Sequence, residues 1–393
     1  MPRVYFLLCL ACLFPFAVSA GDWPVWRGPN ADGLSPERGW KPLGISKKLW
    51  EVNVGKGYSG ISVAGGRIYT MGNIKNQDHV FCLDAATGKE LWVHKYASKT
   101  SGFAGPRATP SVVDGKVYTL SENGLAYCLD AKTGEVKWKT DITSLGPENI
   151  SWKFSGSPLV VGKVVVLNAG AHGVALDRGT GKKVWVSSGK GGYATPVLSR
   201  DGKVLALFSM DSLRMVDLGT GREITSVKWK TKYDVNAADP VFSDVGIFIT
   251  SGYGKAGAMF VFNGSSLKER WNNKNLKCQF SSPVLYKGHL YGADGHTGKK
   301  DAALVCLDAK NGKEKWRESS VGFGSHIIAD GKIIHLNDRG VLTICEATPA
   351  GFKKIASARV LKGAGKCWTV PTLSGKLLYC RGANGKLVCL DLR

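Results

Sequence analysis

Cations and aromatic rings recur at one kind of position in this 393-residue chain, just before short segments that contain a proline. The residues concerned are Arg107, Trp152, Lys153, Tyr193 and Trp368. If the segments that follow converge on one axis, these side chains line a common funnel. Rings beside cations suit a planar, anionic ligand, which binds through stacking and charge. The alternative is that the tryptophans plug the funnel and the cations stay in solvent.

A second set of polar side chains, in more variable loops, could bind a ligand or carry a proton. It consists of Asp294, His296, Asn337 and Arg339. One carboxylate with scattered histidines does not have the spacing of a zinc motif. The sequence also contains no nucleophile elbow, phosphate-binding loop or zincin pattern. We therefore predict no catalytic residue and no metal ligand, and we assign both sets to a ligand-binding surface built from variable loops.

A repeat determines where these residues must lie. Residues 124–138 read Gly-Leu-Ala-Tyr-Cys-Leu-Asp-Ala-Lys-Thr-Gly-Glu-Val-Lys-Trp, and the pattern recurs with small changes. Its tryptophan is assigned to Trp50, Trp92, Trp138, Trp185, Trp229, Trp271 and Trp316, at intervals of 42 to 47 residues. Strands and turns repeating at roughly this spacing predict a β-propeller, because one small sheet cannot bury both of its faces alone.

The prolines and turns predict the order of strands within each unit. Proline cannot donate to a strand ladder, so the proline-containing first strand is the inner edge that lines the channel. Glycine-containing pairs such as Asp114-Gly115 then close a tight hairpin. Eight such units predict an all-β, eight-bladed propeller with four antiparallel strands per blade, over residues 48–393. The last unit lacks an outer strand, and residues 48–54 supply it, so the N-terminal strand closes the ring.

The N-terminal region is predicted to be a signal peptide followed by an arm. Residues 1–20 have Arg3, an apolar run and a small-residue end, which favours cleavage after Ala20. Lipid attachment at Cys12 is the alternative. Residues 21–47 are rich in proline and glycine, so we predict an extended arm laid over the propeller, anchored by Trp23 and Trp26 and dispensable for the ring. No later apolar run approaches about 18 residues, so we predict a periplasmic or secreted protein without a transmembrane segment.

Charge and cysteine content bear on partners. The formal net charge is +22, which favours an anionic partner such as an extracellular polymer. The alternative is a dispersed basic surface, since lysines lie in nearly every turn, and we predict no specific nucleic-acid partner. Cys82, Cys128, Cys306 and Cys389 share one repeat position. Equivalent positions in different blades lie too far apart for a disulfide, so we predict mostly free, buried thiols.

The repeat resembles that of the PQQ-like propeller superfamily, which includes quinoprotein alcohol dehydrogenases and the outer-membrane assembly propeller BamB. The resemblance implies two functional classes. One is a monomeric binding or scaffold module that docks a protein or an anionic polymer on its variable loops. The other is a dehydrogenase that uses pyrroloquinoline quinone (PQQ) with calcium to oxidise an alcohol or a sugar. The adjacent cysteine pair of those dehydrogenases has no counterpart here, and no calcium-binding carboxylates carry over, so the binding module is favoured over an enzyme.

Overall fold

The structure, a computed structural model, describes residues 21–100 and 102–393. The predicted signal peptide and Cys12 lie outside the described residues. Eight four-stranded antiparallel sheets surround one axis as an eight-bladed propeller, so the predicted fold class is confirmed. The hairpins that follow the first strands define the turn end of the ring, and the segments that lead into the first strands define its loop end.

The strands are given from the channel outward. Blades 1 to 4 consist of Ser62–Ala64, Arg67–Ile74, Gln77–Asp84 and Glu90–Ala97; Ser111–Val113, Lys116–Leu120, Leu125–Asp130 and Val136–Asp141; Leu159–Val161, Val164–Leu167, Val174–Asp177 and Lys183–Val186; Val197–Leu198, Val204–Phe208, Ser212–Asp217 and Glu223–Lys228. Blades 5 to 8 consist of Val241–Ser243, Gly246–Thr250, Gly257–Phe262 and Leu267–Asn273; Val284–Tyr286, His289–Asp294, Ala303–Asp308 and Glu314–Glu318; Gly324–Ala329, Lys332–Asn337, Val341–Glu346 and Lys354–Arg359; Thr372–Ser374, Leu377–Arg381, Lys386–Asp391 and Lys48–Asn53.

A few short elements lie outside this pattern. Leu34–Ser35 adds to blade 7, Pro147–Glu148 pairs with Gly189–Lys190, and 3₁₀ helices span Pro42–Ser46 and Ile142–Leu145. None of the helices in the described part of the chain has the length and hydrophobicity needed to cross a lipid bilayer.

Blade 8 joins the two ends of the chain. Lys48–Asn53 pairs antiparallel with Lys386–Asp391, and Trp50 lies opposite Cys389. This outer strand covers the edge that the C-terminal unit would otherwise leave unpaired. Closure by the N-terminal strand is therefore confirmed.

The repeat residues connect each blade to the next. The Trp92 indole N–H of blade 1 donates to the Ala131 carbonyl of blade 2 at 3.1 Å. The ring also covers Gly134, whose φ is 75° and where an added Cβ would lie 2.7 Å from the indole. Asp130 accepts the backbone N–H groups of Lys132 and Thr133 and so holds this turn.

One repeat tryptophan was assigned wrongly from the spacing. In blade 4, Thr225 lies opposite Met215, the position at which Trp92 lies opposite Cys82 in blade 1. Trp229 lies beyond the end of that strand, is buried, and donates to the Ser251 hydroxyl. The interval between tryptophans is regular even though Trp229 occupies a different position in its blade. The spacing alone therefore did not reveal the wrong assignment.

The first part of the N-terminal arm, residues 21–47, enters the channel, and its later part, Pro42–Ser46, lies outside the channel beside blades 7 and 8. Trp23 exchanges backbone hydrogen bonds with Val63 of blade 1, and the Pro24 carbonyl accepts the Val112 N–H of blade 2. The chain then turns back, and Leu34–Ser35 pairs in parallel with Gly324–Ala329 of blade 7. The arm is thus a hairpin inserted from the turn end. It inserts because the inner strands present unpaired backbone groups, which the arm satisfies. These contacts join the arm to the inner strands of several blades, and whether the ring folds without the arm stays a prediction.

The thiol prediction is confirmed for the described residues. The free, buried cysteines are Cys82, Cys128, Cys278, Cys306, Cys345, Cys367, Cys380 and Cys389. Burial raises the pKa of the Cys82 and Cys306 thiols to about 11. Protonated, buried thiols are poor nucleophiles. They therefore act as small apolar groups between blades.

Candidate functional site

A cavity of about 320 Å³ lies on the axis at the loop end; we call it the axial funnel. The segments that lead into the first strands converge there from most of the blades, because each blade places its innermost strand beside the axis. Aromatic rings form much of its wall. They are Trp26, Tyr58, Phe103, Trp152, Tyr193, Tyr253, Phe280 and Trp368.

The rings pack into a continuous cluster around Trp368. This indole stacks on Tyr58 with centroids 4.9 Å apart, and it contacts Phe280 at 4.9 Å and Phe103 at 5.5 Å. The Lys366 ammonium lies 4.6 Å from the centroids of both Phe103 and Trp368. Trp152, at 43% exposure, extends the cluster to the rim. Flat apolar faces beside a cation are thus accessible from the loop end.

Arg107 lies in this wall, but its charge is already paired. Its guanidinium contacts the fully buried Glu122 carboxylate and also donates to the Phe103 carbonyl at 2.8 Å. Burial raises the pKa of Glu122, and the guanidinium opposes that rise. Arg107 therefore neutralises the charge of a buried carboxylate and holds the segment that carries Phe103. Less of its charge is available to a ligand than the sequence implied.

The floor of the funnel is formed by the arm and blade 5. The Trp26 indole N–H donates to Asp239 at 2.6 Å, and the same carboxylate accepts the Thr195 backbone N–H at 2.8 Å. Arg27 lies 3.8 Å away, with both charged side chains almost fully buried. Burial raises the pKa of Asp239 and lowers that of Arg27, and each charge partly offsets the shift of the other.

The structure brings together four of the residues singled out from sequence. Arg107, Trp152, Tyr193 and Trp368 all line the axial funnel. Tyr193 also accepts the Trp152 backbone N–H through its hydroxyl, at 3.4 Å. Whether they bind a ligand stays a prediction.

The other five lie outside the funnel wall. Lys153 adopts a left-handed φ of 68°, and Arg339 is exposed. Asp294 is buried and pairs with Arg317 at 2.6 Å. The His296 imidazole accepts the Tyr253 N–H at 2.7 Å, and burial lowers its pKa. Asn337 donates to the Val321 carbonyl at 3.0 Å. The last three residues hold loops of the loop end in place.

Sequence reasoning missed several residues of the wall. Tyr58 and Phe280 stand four residues before a first strand, the same spacing as Trp368, and Lys366 stands two residues before Trp368, so the position relative to the first strand was a usable signal. Trp26 and Asp239 meet across 213 residues, and no local pattern connects them.

The described residues contain no group of three or more His, Cys, Asp or Glu side chains arranged to hold a metal ion. The polar groups of the floor are already hydrogen-bonded. The aromatic wall and Lys366 can instead bind a protruding apolar group by burial and stacking. The eight blades and their sequence repeat define the class of this protein, a PQQ-like β-propeller.

Residues 78–318 match the protein family described as outer membrane protein assembly factor BamB, and the chain belongs to that family. It is similar to tetrathionate hydrolase of Acidithiobacillus ferrooxidans, with 27% identity over 72% of this chain and 50% of that protein. It also resembles quinohemoprotein alcohol dehydrogenase ADH IIB of Pseudomonas putida, with 36% identity over 30% of this chain and 18% of that enzyme. The chain thus spans half or less of the length of these two relatives.

A solved structure, BamB from Moraxella catarrhalis, superposes with a TM-score of 0.65. The match has 15% identity and covers 88% of this chain and 97% of that one. At this identity the likeness establishes the fold alone.

Proposed function

We propose that this protein is an exported, non-catalytic binding propeller whose axial funnel docks a partner protein. The observation that carries the proposal is the ring cluster around Trp368, open to solvent at Trp152 and flanked by the Lys366 ammonium. Pockets of this kind accept an aromatic or aliphatic anchor from a partner, with charged groups at the rim. Lys366 and the net charge of +22 favour acidic residues beside that anchor.

The family supports a docking role, since its description names an assembly factor. The groups that line the funnel support it as well. Arg107 is held by Glu122, and Asp239 is engaged by the Trp26 and Thr195 N–H groups. Both ionisable groups therefore serve the protein's own packing.

The second candidate is a PQQ-dependent dehydrogenase, which the resemblance to a quinohemoprotein alcohol dehydrogenase favours. PQQ is a planar polyanion, so the rings of the funnel suit its shape. Its carboxylates would need several uncompensated cations. The funnel wall contains the cations Arg107 and Lys366, and Glu122 neutralises Arg107. The buried carboxylate of Asp239 lies on the floor. The residues of the funnel therefore do not fit this cofactor.

Calorimetric titration with the probe acetyl-Glu-Trp-Glu-amide tests the docking proposal. We expect Lys366→Ala and Trp152→Ala each to weaken binding about fivefold, corresponding to roughly 1 kcal/mol for an aromatic or cation–π contact. Lys362→Ala, an exposed lysine in the same loop, is the matched control and should leave the affinity unchanged. Equal affinities for all four proteins would move the site elsewhere.

Two further titrations separate the alternatives. Stoichiometric binding of PQQ in the presence of calcium, followed by dye-linked oxidation of an alcohol, would favour the dehydrogenase. Salt-sensitive binding of oligogalacturonate that is unaffected by Trp152→Ala would favour an anionic polymer on the dispersed basic surface. Sequencing of the secreted protein should find Gly21 at its N-terminus, which tests the export part of the proposal.

A further inference from the structure

A second cavity of about 410 Å³ opens at the turn end, between the arm and blades 1 to 4. We call it the channel groove. Trp26 lines both this groove and the axial funnel, so its side chain lies between them. The arm forms one wall, and the inner strands Leu159–Val161 of blade 3 and Val197–Leu198 of blade 4 form much of the other.

These two inner strands are apolar and incompletely covered. All five of their residues are half-buried. The equivalent residues under the arm are fully buried, with Val63 of blade 1 at 2% exposure and Ile328 of blade 7 at 1%. The arm therefore covers some inner edges and leaves those of blades 3 and 4 open to the groove.

The open strands also have unpaired backbone donors. Val161 and Val164 close the hairpin of blade 3, so the N–H of Val160 points away from the ladder and into the channel. The equivalent N–H in blade 2, that of Val112, donates to the Pro24 carbonyl of the arm. Leu198 occupies the same position in blade 4. Within the described chain, neither Val160 nor Leu198 has a hydrogen-bond partner for this N–H.

We propose that the channel groove binds an extended, uncharged aliphatic peptide segment of a partner protein, which adds to the inner edges of blades 3 and 4. The arm demonstrates this mode of binding, because it adds to blades 1 and 7 through the same backbone positions. Strand addition supplies affinity through main-chain hydrogen bonds, and apolar side chains then fill the adjoining space. The volume lies within the roughly 300–1,000 Å³ typical of ligand pockets.

The charges at the mouth of the groove favour an uncharged segment. Asp22 accepts the Gly65 N–H, and Asp114 pairs with Arg178 at 2.5 Å. An anionic side chain that entered would meet these carboxylates, and a side chain of either charge would lose hydration between the half-buried aliphatic residues.

Fluorescence anisotropy with labelled acetyl-Ser-Val-Ile-Val-Ser-amide tests this site. Val160→Pro and Leu198→Pro each remove one channel-facing N–H and leave the ladder bonds in place, so we expect each to weaken binding about fivefold. Val160→Ile keeps the donor and is the matched control, with an affinity within about twofold of the wild type. Two peptides, one N-methylated at the odd residues and one at the even residues, cover the two possible strand registers. At least one of them should bind more weakly than the parent peptide.

Hydrogen exchange on the unmodified protein provides a second measurement that does not depend on the proline variants folding. Exchange at Val160 and Leu198 should slow when the peptide binds, and Lys366→Ala should leave the peptide affinity unchanged. N-methylated peptides that bind as tightly as the parent would overturn the proposal. So would protection confined to the loop end, or a concentration-dependent dimer in which the arm of a second copy fills the groove.

Discussion

The contacts between blades and the contacts within the channel stabilise the ring in different ways. Between blades, the Trp92–Gly134 contact has counterparts in Trp50–Gly88, Trp138–Gly181, Trp185–Gly221 and Trp271–Gly312. In the channel, the Arg27 guanidinium donates to the Pro283 carbonyl at 2.5 Å, and Trp26 binds Asp239. The first kind of contact recurs, whereas the second is made once.

The two kinds of contact differ in how many blades each one stabilises. A repeated contact joins two adjacent units, so its loss affects one interface of a nearly one-dimensional array. The arm also joins residues far apart in the chain, such as Trp26 with Asp239, 213 positions away, and Glu37 with Lys376, 339 positions away. Loss of an arm contact should therefore loosen several blades at once.

The largest effect is expected at the buried charge pair of the channel. Asp239→Ala leaves the Arg27 guanidinium buried without its carboxylate and the Trp26 N–H without its acceptor. We expect urea unfolding to show a loss of about 3–5 kcal/mol in the free energy of unfolding. Asp244→Ala removes an exposed carboxylate of the same blade and should cost less than about 1 kcal/mol. Equal losses for both variants would contradict the distinction between channel and surface.

A smaller effect is expected at a single blade interface. Gly134→Ala places a methyl group 2.7 Å from the Trp92 ring at a φ of 75°. Strain and overpacking together should cost about 3 kcal/mol. Gly66→Ala is the matched control, because its φ is 71° and nothing lies within 4 Å of the added carbon. It should cost only about 1–2 kcal/mol in urea unfolding. If the two variants were equally stable, the Trp–Gly contact would contribute nothing beyond backbone strain.

Acid should destabilise the folded ring through two buried histidines of blade 7, His326 and His335. Burial lowers the pKa of His326 to about 3 and that of His335 to about 4, from 6.5 in the unfolded chain. Below pH 6.5 the unfolded chain therefore takes up protons that the folded chain does not. Stability is full above that pH and is lost as the pH falls toward about 4.

The free energies of unfolding measured at pH 7 and pH 6 should differ by about 1.4 kcal/mol for the two histidines together. Below that range the loss should steepen toward about 1.4 kcal/mol per pH unit for each histidine. His335→Gln removes one of the two groups, so it should halve the slope between pH 6 and pH 5. A stability that stayed flat from pH 7 to pH 5 would show that neither imidazole resists protonation.

The sequence predicted the repeated part of the molecule well and the channel poorly. Asp130, Gly134 and Trp138 recur at fixed spacing, so their roles follow from periodicity. The funnel wall was predicted in part, because Arg107, Tyr193 and Trp368 all stand four residues before a first strand. The arm was predicted, but its entry into the channel and the Trp26–Asp239 bond were not, since a contact made once across 213 residues leaves no periodic signal. Trp229 shows that even a regular interval can conceal a change of register.

The smallest effect on stability is expected at Lys366. Its ammonium is exposed and lies 4.6 Å from the Phe103 and Trp368 centroids. Exposed cation–π contacts contribute about 0.5–1 kcal/mol, so Lys366→Ala should change the free energy of unfolding by no more than that. The same variant should weaken the acetyl-Glu-Trp-Glu-amide probe about fivefold, because the probe buries the ammonium that solvent otherwise screens. This pair of results would show that Lys366 contributes to binding and not to folding, unlike the channel contacts beneath it. A loss of stability as large as that of Asp239→Ala would instead make the rim part of the same structural core.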